Sequence, residues 1–269
     1  MRMMPIASGS SGNCIYIGTD NTHILLDAGI SRKRIDEGLH MAGLSIKDID
    51  AIFVTHEHID HIKGLGVISR KDGIPVYSTP GTISGIADNT TLGSIPEGIL
   101  NEIEADEDIV CGDICIHPFR ISHDANEPVA YTMTMSTADG FKKASVVTDL
   151  GYFDDYVVDN LRESDIMLVE ANHDINMLQV GPYPFYLKKR ILGQKGHLSN
   201  ESSGKLINSL LHDNLKKIYL GHLSKENNYD KLAYETVRLE IDMGDNSFKS
   251  SDFDIEVAKR DILSGICEI

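Results

Sequence analysis

Residues 56–61 read His-Glu-His-Ile-Asp-His and come one residue, Thr55, after the apolar run Ala51-Ile52-Phe53-Val54. A short apolar run bounded this way reads as a strand. Four side chains able to hold a metal, His56, His58, Asp60 and His61, therefore crowd where that strand ends. Imidazole and carboxylate are donors that zinc, manganese and iron accept. Packing alone gives no reason to cluster three histidines and an aspartate in six residues. The segment points to a metal site of more than one ion, and so to hydrolysis.

The rest of the chain sets the frame. Its 269 residues suffice for a sizeable core, and 41% hydrophobic with 25% charged residues is ordinary for a globular protein. No apolar run approaches the roughly 18 residues of a membrane span, and the first residues lack the apolar stretch of a secretory signal. A cytoplasmic protein without a membrane partner is the expectation. Cys14, Cys111, Cys115 and Cys267 are then expected reduced and buried. A net charge of −16 argues against coating nucleic acid along its length. It does not exclude a nuclease, because metals supply local positive charge. Two basic runs stand out, Arg32-Lys33-Arg34 and Lys188-Lys189-Arg190 with Lys195. Each reads equally well as a solvated helix face.

Along the chain, strands are expected at 14–17 and 23–26, a helix over 31–42, and a strand at 50–54. A helix from 62 to 71 and a short strand at 74–77 follow. Residues 80–105 carry no clear pattern. Residues 109–149 read almost wholly as strand. Helices near 153–162, 184–192, 199–212 and 228–241 then alternate with strands at 165–170 and 217–220, and the last strand is expected at 253–258. Two sheets inside with helices outside would bury such a pattern. No linker divides the chain, so a single domain over 1–269 is expected.

Two metal ions need more donors than the cluster offers. His123 follows the expected strand Pro118–Ile121, Asp149 follows Val146-Val147-Thr148, and His222 follows Lys217–Gly221. A lone histidine in such a place is usually structural. Three donors at three strand ends, behind the cluster, make a dinuclear centre the better reading.

His-x-His-x-Asp-His with a later His, Asp and His resembles the metallo-β-lactamase superfamily, and Asp27-Ala28-Gly29 resembles its upstream motif. The resemblance spans essentially the whole chain. It implies an α/β fold, a four-layer αββα sandwich with the metals along one edge. It also implies His56, His58 and His123 on one ion, Asp60, His61 and His222 on the other, and Asp149 between them. The expected cofactors are two divalent ions, zinc first, with manganese or iron alternatives. Ser8–Asn13, Glu170–Asp174 and Gly181–Pro184 look like the YycJ/WalJ-like branch, whose members are viewed as nucleases acting 5′ to 3′ on DNA. Gly196-His197-Leu198-Ser199-Asn200 resembles a stretch of tRNase Z and similar phosphodiesterases. There, a histidine outside the metal shell assists the leaving group. The interval from Asp149 to His222 is too short for the inserted domain of the RNase J type, and no Gly/Pro-rich arm of the tRNase Z kind is visible.

The expected reaction is phosphodiester hydrolysis, with water activated between the ions, Asp60 in the catalytic centre and His197 protonating the leaving oxygen. Substrate contacts are expected from Ser11, Asn13, His173, Lys188, Arg190, Lys195, Ser199 and Asn200. The expected partner is nucleic acid, DNA more than RNA. A small-molecule cyclic phosphodiesterase would use the same donors, and a thioesterase or lactonase shares much of them. A non-catalytic module would be expected to lack ligands. Asp27 should orient a ligand histidine, and Glu57 should face away from the metals and support its loop.

Overall fold

The apolar runs of this chain alternate along each strand between two buried faces. In the strand β3 (His23–Leu26), Ile24 and Leu26 join one apolar cluster while Leu25 joins another. In a later strand, Ile166 and Leu168 face one cluster and Met167 and Val169 the next. Strands buried on both faces lose the polar alternation of a half-exposed sheet. The computed structural model describes all 269 residues.

The first half builds one sheet from β1 (Arg2–Ala7), β2 (Cys14–Gly18), β3, β4 (Ala51–Phe53), β5 (Val76–Ser78) and β6 (Leu100–Glu102). The second half builds another from β7 (Ile109–Cys111), β8 (Ile114–Arg120), β9 (Val129–Thr137), β10 (Gly140–Val147), β11 (Ile166–Glu170), β12 (Lys217–Gly221) and β13 (Asp254–Val257). The short β14 (Cys267–Glu268) returns to pair with β1, giving orders β14-β1-β2-β3-β4-β5-β6 and β13-β12-β11-β10-β9-β8-β7. Helices α1 (Arg32–Met41), α2 (Ile59–Ile62), α3 (Leu65–Lys71) and α4 (Pro80–Asp88) belong to the first half. Helices α5 (Asp155–Leu161), α6 (Ile175–Val180), α7 (Phe185–Ile191), α8 (Asn200–Asn208) and α9 (Asp230–Asp242) belong to the second.

Three apolar layers hold this together. Met3, Ile15, Phe53, Tyr131, Met133 and Leu168 pack between the sheets. Ile35 and Leu39 of α1 with Leu65 and Ile68 of α3 cover the outer face of the first sheet. Val157 of α5, Leu206 of α8 and Val237 of α9 cover the second. The result is the expected αββα sandwich. No helix is long and apolar enough to cross a membrane.

Several expectations shift. The first strand, β1, was not foreseen, because Pro5 and the methionines blur its pattern; β14 and α6 are also additional. The helix expected from 62 begins earlier, as α2, and breaks at Gly64, whose N–H donates to the Ala28 carbonyl at 2.7 Å. Asp60 and His61 thus sit on a helical turn rather than in a loop. Residues 80–105 supply α4 and β6. Only Cys14 is fully buried; the other three cysteines are half-buried and all four are free thiols.

Strand direction places the polar strand ends together. β10, β11, β12 and β13 are mutually parallel, and β8 runs the same way across the antiparallel β9. Their carboxyl ends share one edge, as do those of the parallel β3, β4 and β5. The two edges are joined by Tyr131 of β9, whose hydroxyl donates to the Val54 carbonyl at 2.8 Å, and by the Val129 N–H to Thr55 carbonyl bond at 3.0 Å. Gly29 seats the loops there. Its N–H bonds Asn13 at 2.7 Å, and a Cβ at this position would lie 1.6 Å from the Asp60 carbonyl oxygen. Gly29→Ala should therefore displace Asp60. Its expected outcome is a lowered thermal midpoint together with loss of bound metal, read by melting and by metal analysis of the purified variant.

Candidate metal centre

Most side chains of the centre leave a strand end, while Asp60 and His61 lie on α2. Asp27 follows β3, Thr55 and His56 follow β4, His123 follows β8, Asp149 follows β10, Glu170 ends β11 and His222 follows β12. Asp27, Asp149 and His222 have φ of 61°, 59° and 52°. A left-handed backbone at a non-glycine residue costs roughly 1 kcal/mol or more. Three such residues where strands meet the same site turn their side chains inward instead of along the strand.

Two groups of donors converge. His56 Nε2 lies 3.0 Å from His58 Nδ1, which lies 3.3 Å from His123 Nε2. Asp60 Oδ2 lies 3.6 Å from His61 Nε2 and 3.5 Å from His222 Nε2. Asp149 stands between the groups, with Oδ2 3.2 Å from His61 Nε2 and Oδ1 3.8 Å from His123 Nε2. Donors about 2.0–2.1 Å from a tetrahedral ion stand about 3.3 Å apart, so these spacings fit metal coordination. Asp149 Oδ2 and His222 Nε2 are also buried without a hydrogen-bond partner. Buried polar atoms seldom stay unpaired, and a cation would satisfy both.

Outer partners fix the inner imidazoles. His61 Nδ1 donates to Asp27 Oδ2 at 2.7 Å, leaving Nε2 toward Asp60 and Asp149. Asp27 is itself held by the Thr55 N–H and hydroxyl, at 2.8 and 3.0 Å. His123 Nδ1 donates to the Gly196 carbonyl at 3.2 Å. His222 Nδ1 lies 3.3 Å from Glu170 Oε1, while its backbone N–H bonds Ser8 Oγ at 2.9 Å and its carbonyl accepts from Asn172 Nδ2, also at 2.9 Å. Such outer contacts set tautomer and ring direction.

Charge is divided unevenly. Burial, reinforced by His61, holds His56 well below the usual imidazole range, and burial also lowers His123. Both are neutral donors. Burial would lower His222 too, but Asp149, Asp60 and Glu170 outweigh it and push the imidazole up to about 10. His61 is raised well above its ordinary value by Asp27, Asp149 and Asp60 against its burial. Burial opposes ionisation of Asp60 and Asp149, yet neighbouring histidines hold both carboxyls below their usual range. The second group thus demands positive charge. A divalent cation supplies it while leaving the imidazoles neutral.

His197 faces the same cavity, of about 200 Å³, with Ser10, His58, Asp60, His123 and Arg190. Its Nδ1 donates to Glu170 Oε1 at 2.7 Å, and Glu170 raises its pKa against the effect of burial. The cap of α8 comes from Ser199, whose Oγ accepts from the Ser202 N–H, so His197 is not needed for it. Glu170 was missed as a site residue. It is fully buried and also accepts from the Leu150 N–H at 2.8 Å. A carboxylate closing the apolar run Ile166–Val169 was the available signal.

The expected substrate contacts divide. Arg190 reaches the cavity while paired with Asp124. Lys195 lines a neighbouring cleft, and Ser11 is exposed on the first loop. Asn13 is fully buried; it accepts from the Gly9 N–H at 2.9 Å and lies 3.1 Å from His61 Nε2, so it supports the centre rather than facing solvent. Asn200 is fully buried too, in a reciprocal amide pair with Asn228 at 3.1 and 2.8 Å. Lys188 donates to the Gln179 and Gly181 carbonyls, both at 2.7 Å, and Ser199 is consumed by its cap. His173 is buried with neither ring nitrogen paired, and burial lowers its pKa to about 4. It is not among the residues lining the cavity, and its backbone bridges to Ser199. Glu57 is outside the donor groups and accepts from the Asn126 N–H at 2.8 Å, holding the loop after His123.

Comparison with known proteins agrees with this architecture. Residues 22–222 match the Beta-lactamase superfamily domain. The chain is 39% identical over 232 residues to the exodeoxyribonuclease YycJ of Bacillus anthracis, covering 86% of each protein. It is 40% identical over 232 residues to the exodeoxyribonuclease WalJ of Streptococcus pneumoniae, covering 86% of this chain and 85% of that one. Among solved structures, the metallo-beta-lactamase fold protein YhfI of Bacillus subtilis superposes with a TM-score of 0.68 at 14% identity, over 98% of both chains. With its two helix-flanked sheets and its donors gathered at their shared edge, the chain belongs to the metallo-β-lactamase superfamily, in the YycJ/WalJ-like group.

Proposed function

We propose that this protein is a metal-dependent nuclease that hydrolyses phosphodiester bonds in DNA, releasing nucleotides from a 5′ end. The observation that carries the reading is His197, held by Glu170 at 2.7 Å and facing the cavity shared by both donor groups. The names of the YycJ and WalJ relatives support DNA as the substrate.

His56, His58 and His123 would hold one divalent ion, and Asp60, His61 and His222 the second, with Asp149 between them. Zinc is the first candidate. Such ions supply a hydrolytic water of lowered pKa and neutralise charge on the phosphate oxygens. The chain's own groups do the rest. Arg190, fixed by Asp124, lies at the cavity rim to receive a phosphate oxygen. Glu170 keeps the His197 ring in place and favours its protonated form. Protonated His197 then delivers its proton to the departing sugar oxygen, a poor leaving group unless protonated. The cavity is small, with room for about one phosphodiester group. Its volume of about 200 Å³ also admits a small diester, which keeps a small-molecule phosphodiesterase as the competing reading.

His197→Ala should keep its metal and lose about 10²–10⁴-fold in kcat on DNA. Bis(p-nitrophenyl) phosphate, whose leaving group needs little protonation, should be affected far less. Equal losses on both substrates would remove the acid role. The wild-type protein acting on the small diester but on no DNA would replace the nuclease reading. Stripping the protein with EDTA should abolish cleavage and lower the thermal midpoint by several degrees, because ions that bind only the folded state stabilise it. Adding back zinc or manganese should restore both. Asp149→Ala should show the stripped behaviour even with metal present, as measured by metal content and melting; a variant that retains both ions contradicts the placing of Asp149 between them.

A further inference from the structure

Next to the metal centre lies a second cleft, of about 510 Å³, that the proposed chemistry leaves unused. The two share His123 as a wall. The cleft also touches the loop before His197, through Lys195, and Ser122 Oγ donates to the Gln194 carbonyl at 2.8 Å to tie that loop to the His123 loop. A ligand here would sit beside a candidate metal ligand and beside the proposed acid.

The lining has a definite chemistry. Tyr152 and Tyr156 stand 45% and 40% exposed, high for aromatic residues beside a cavity. Tyr156 is rigid: its hydroxyl donates to Asp106 and accepts from the Arg120 N–H at 3.0 Å. Arg120 is paired with Asp106, and Asp154 is turned to cap α5 by accepting from the Val157 N–H at 3.1 Å. Lys195 has no ion-pair partner and is exposed, so it is the free charge of the cleft. Aromatic faces with an unpaired cation beside them suit an unstacked base and its phosphate.

Resting on the nuclease reading, we propose that this cleft is a nucleobase pocket. It takes the terminal base of a strand against Tyr152, with the adjoining phosphate at Lys195, and so sets the next phosphodiester at His197. The pocket would count the strand out one nucleotide at a time and favour an end over an internal site.

Titration calorimetry with dAMP and with 2-deoxyribose 5-phosphate, which lacks the base, tests this. The wild-type protein should bind dAMP about tenfold more tightly, the contribution expected of one stacked base. Tyr152→Ala should erase that difference and leave the sugar phosphate unchanged. Lys195→Gln should weaken both ligands alike. Circular dichroism of Tyr152→Ala should match the wild type. Equal binding of both ligands by the wild type, or a base preference that survives Tyr152→Ala, overturns the pocket. DNA cleavage by the wild type is scored separately and judges the nuclease reading alone.

Discussion

Glu170 is the side chain on which the centre turns. It is a carboxylate with no exposure, at the end of a strand between two others. An isolated charge in such a place would be very unfavourable. It is tolerated because four groups surround it: the Leu150 and Leu198 N–H groups at 2.8 and 3.4 Å, His197 at 2.7 Å and His222 at 3.3 Å. Those contacts reach the loops that follow β10, β12 and α7. One buried charge therefore fixes the backbone after Asp149, the ring of His222 and the ring of His197 together.

Asp27 plays the matching part on the first sheet. It binds Thr55 and His61, so the loop after β4 is held to the strand end beside it. The sheets thus carry one orienting carboxylate each, and the donors gather at the edge that the two sheets share. This explains why the left-handed residues gather here. Asp27 and His222 directly follow strands and Asp149 comes two residues after one, and the strain of their backbones is offset by the contacts of their side chains. Two of the three are aspartates, which adopt that region more readily than most residues.

Much of this was legible from the sequence because the donors carry their own signal. A His or Asp just after an apolar run announces a strand end facing something polar, and seven residues announced it in concert. Strand-rich stretches interleaved with helices suggested two sheets inside and helices outside, and the family resemblance supplied the αββα layering. What was not legible depended on partners distant in sequence. Asn13 and Asn200 looked available to substrate because small polar loops usually are; burial under Gly29 and against Asn228 removed them from solvent. Lys188 looked like a free cation, but it caps carbonyls nine and seven residues before it. β1 and β14 were invisible for another reason: one holds a proline and the other spans two residues, so only their pairing defines them.

Electrostatics then separate the site from the surface. A chain of net charge −16 repels a polyanion at a distance, and salt screens that repulsion within about 10 Å. Attraction must come from close range. The cations near the cavity are few: Arg190, compensated by Asp124, and Lys195, unpaired. On the proposed reading, the remaining positive charge comes from the ions held by the donor groups. Substrate binding is then concentrated at one or two phosphates instead of spread along a groove. A strand held this way is gripped close to its reacting bond, which suits removal of nucleotides from an end better than attack within a long duplex.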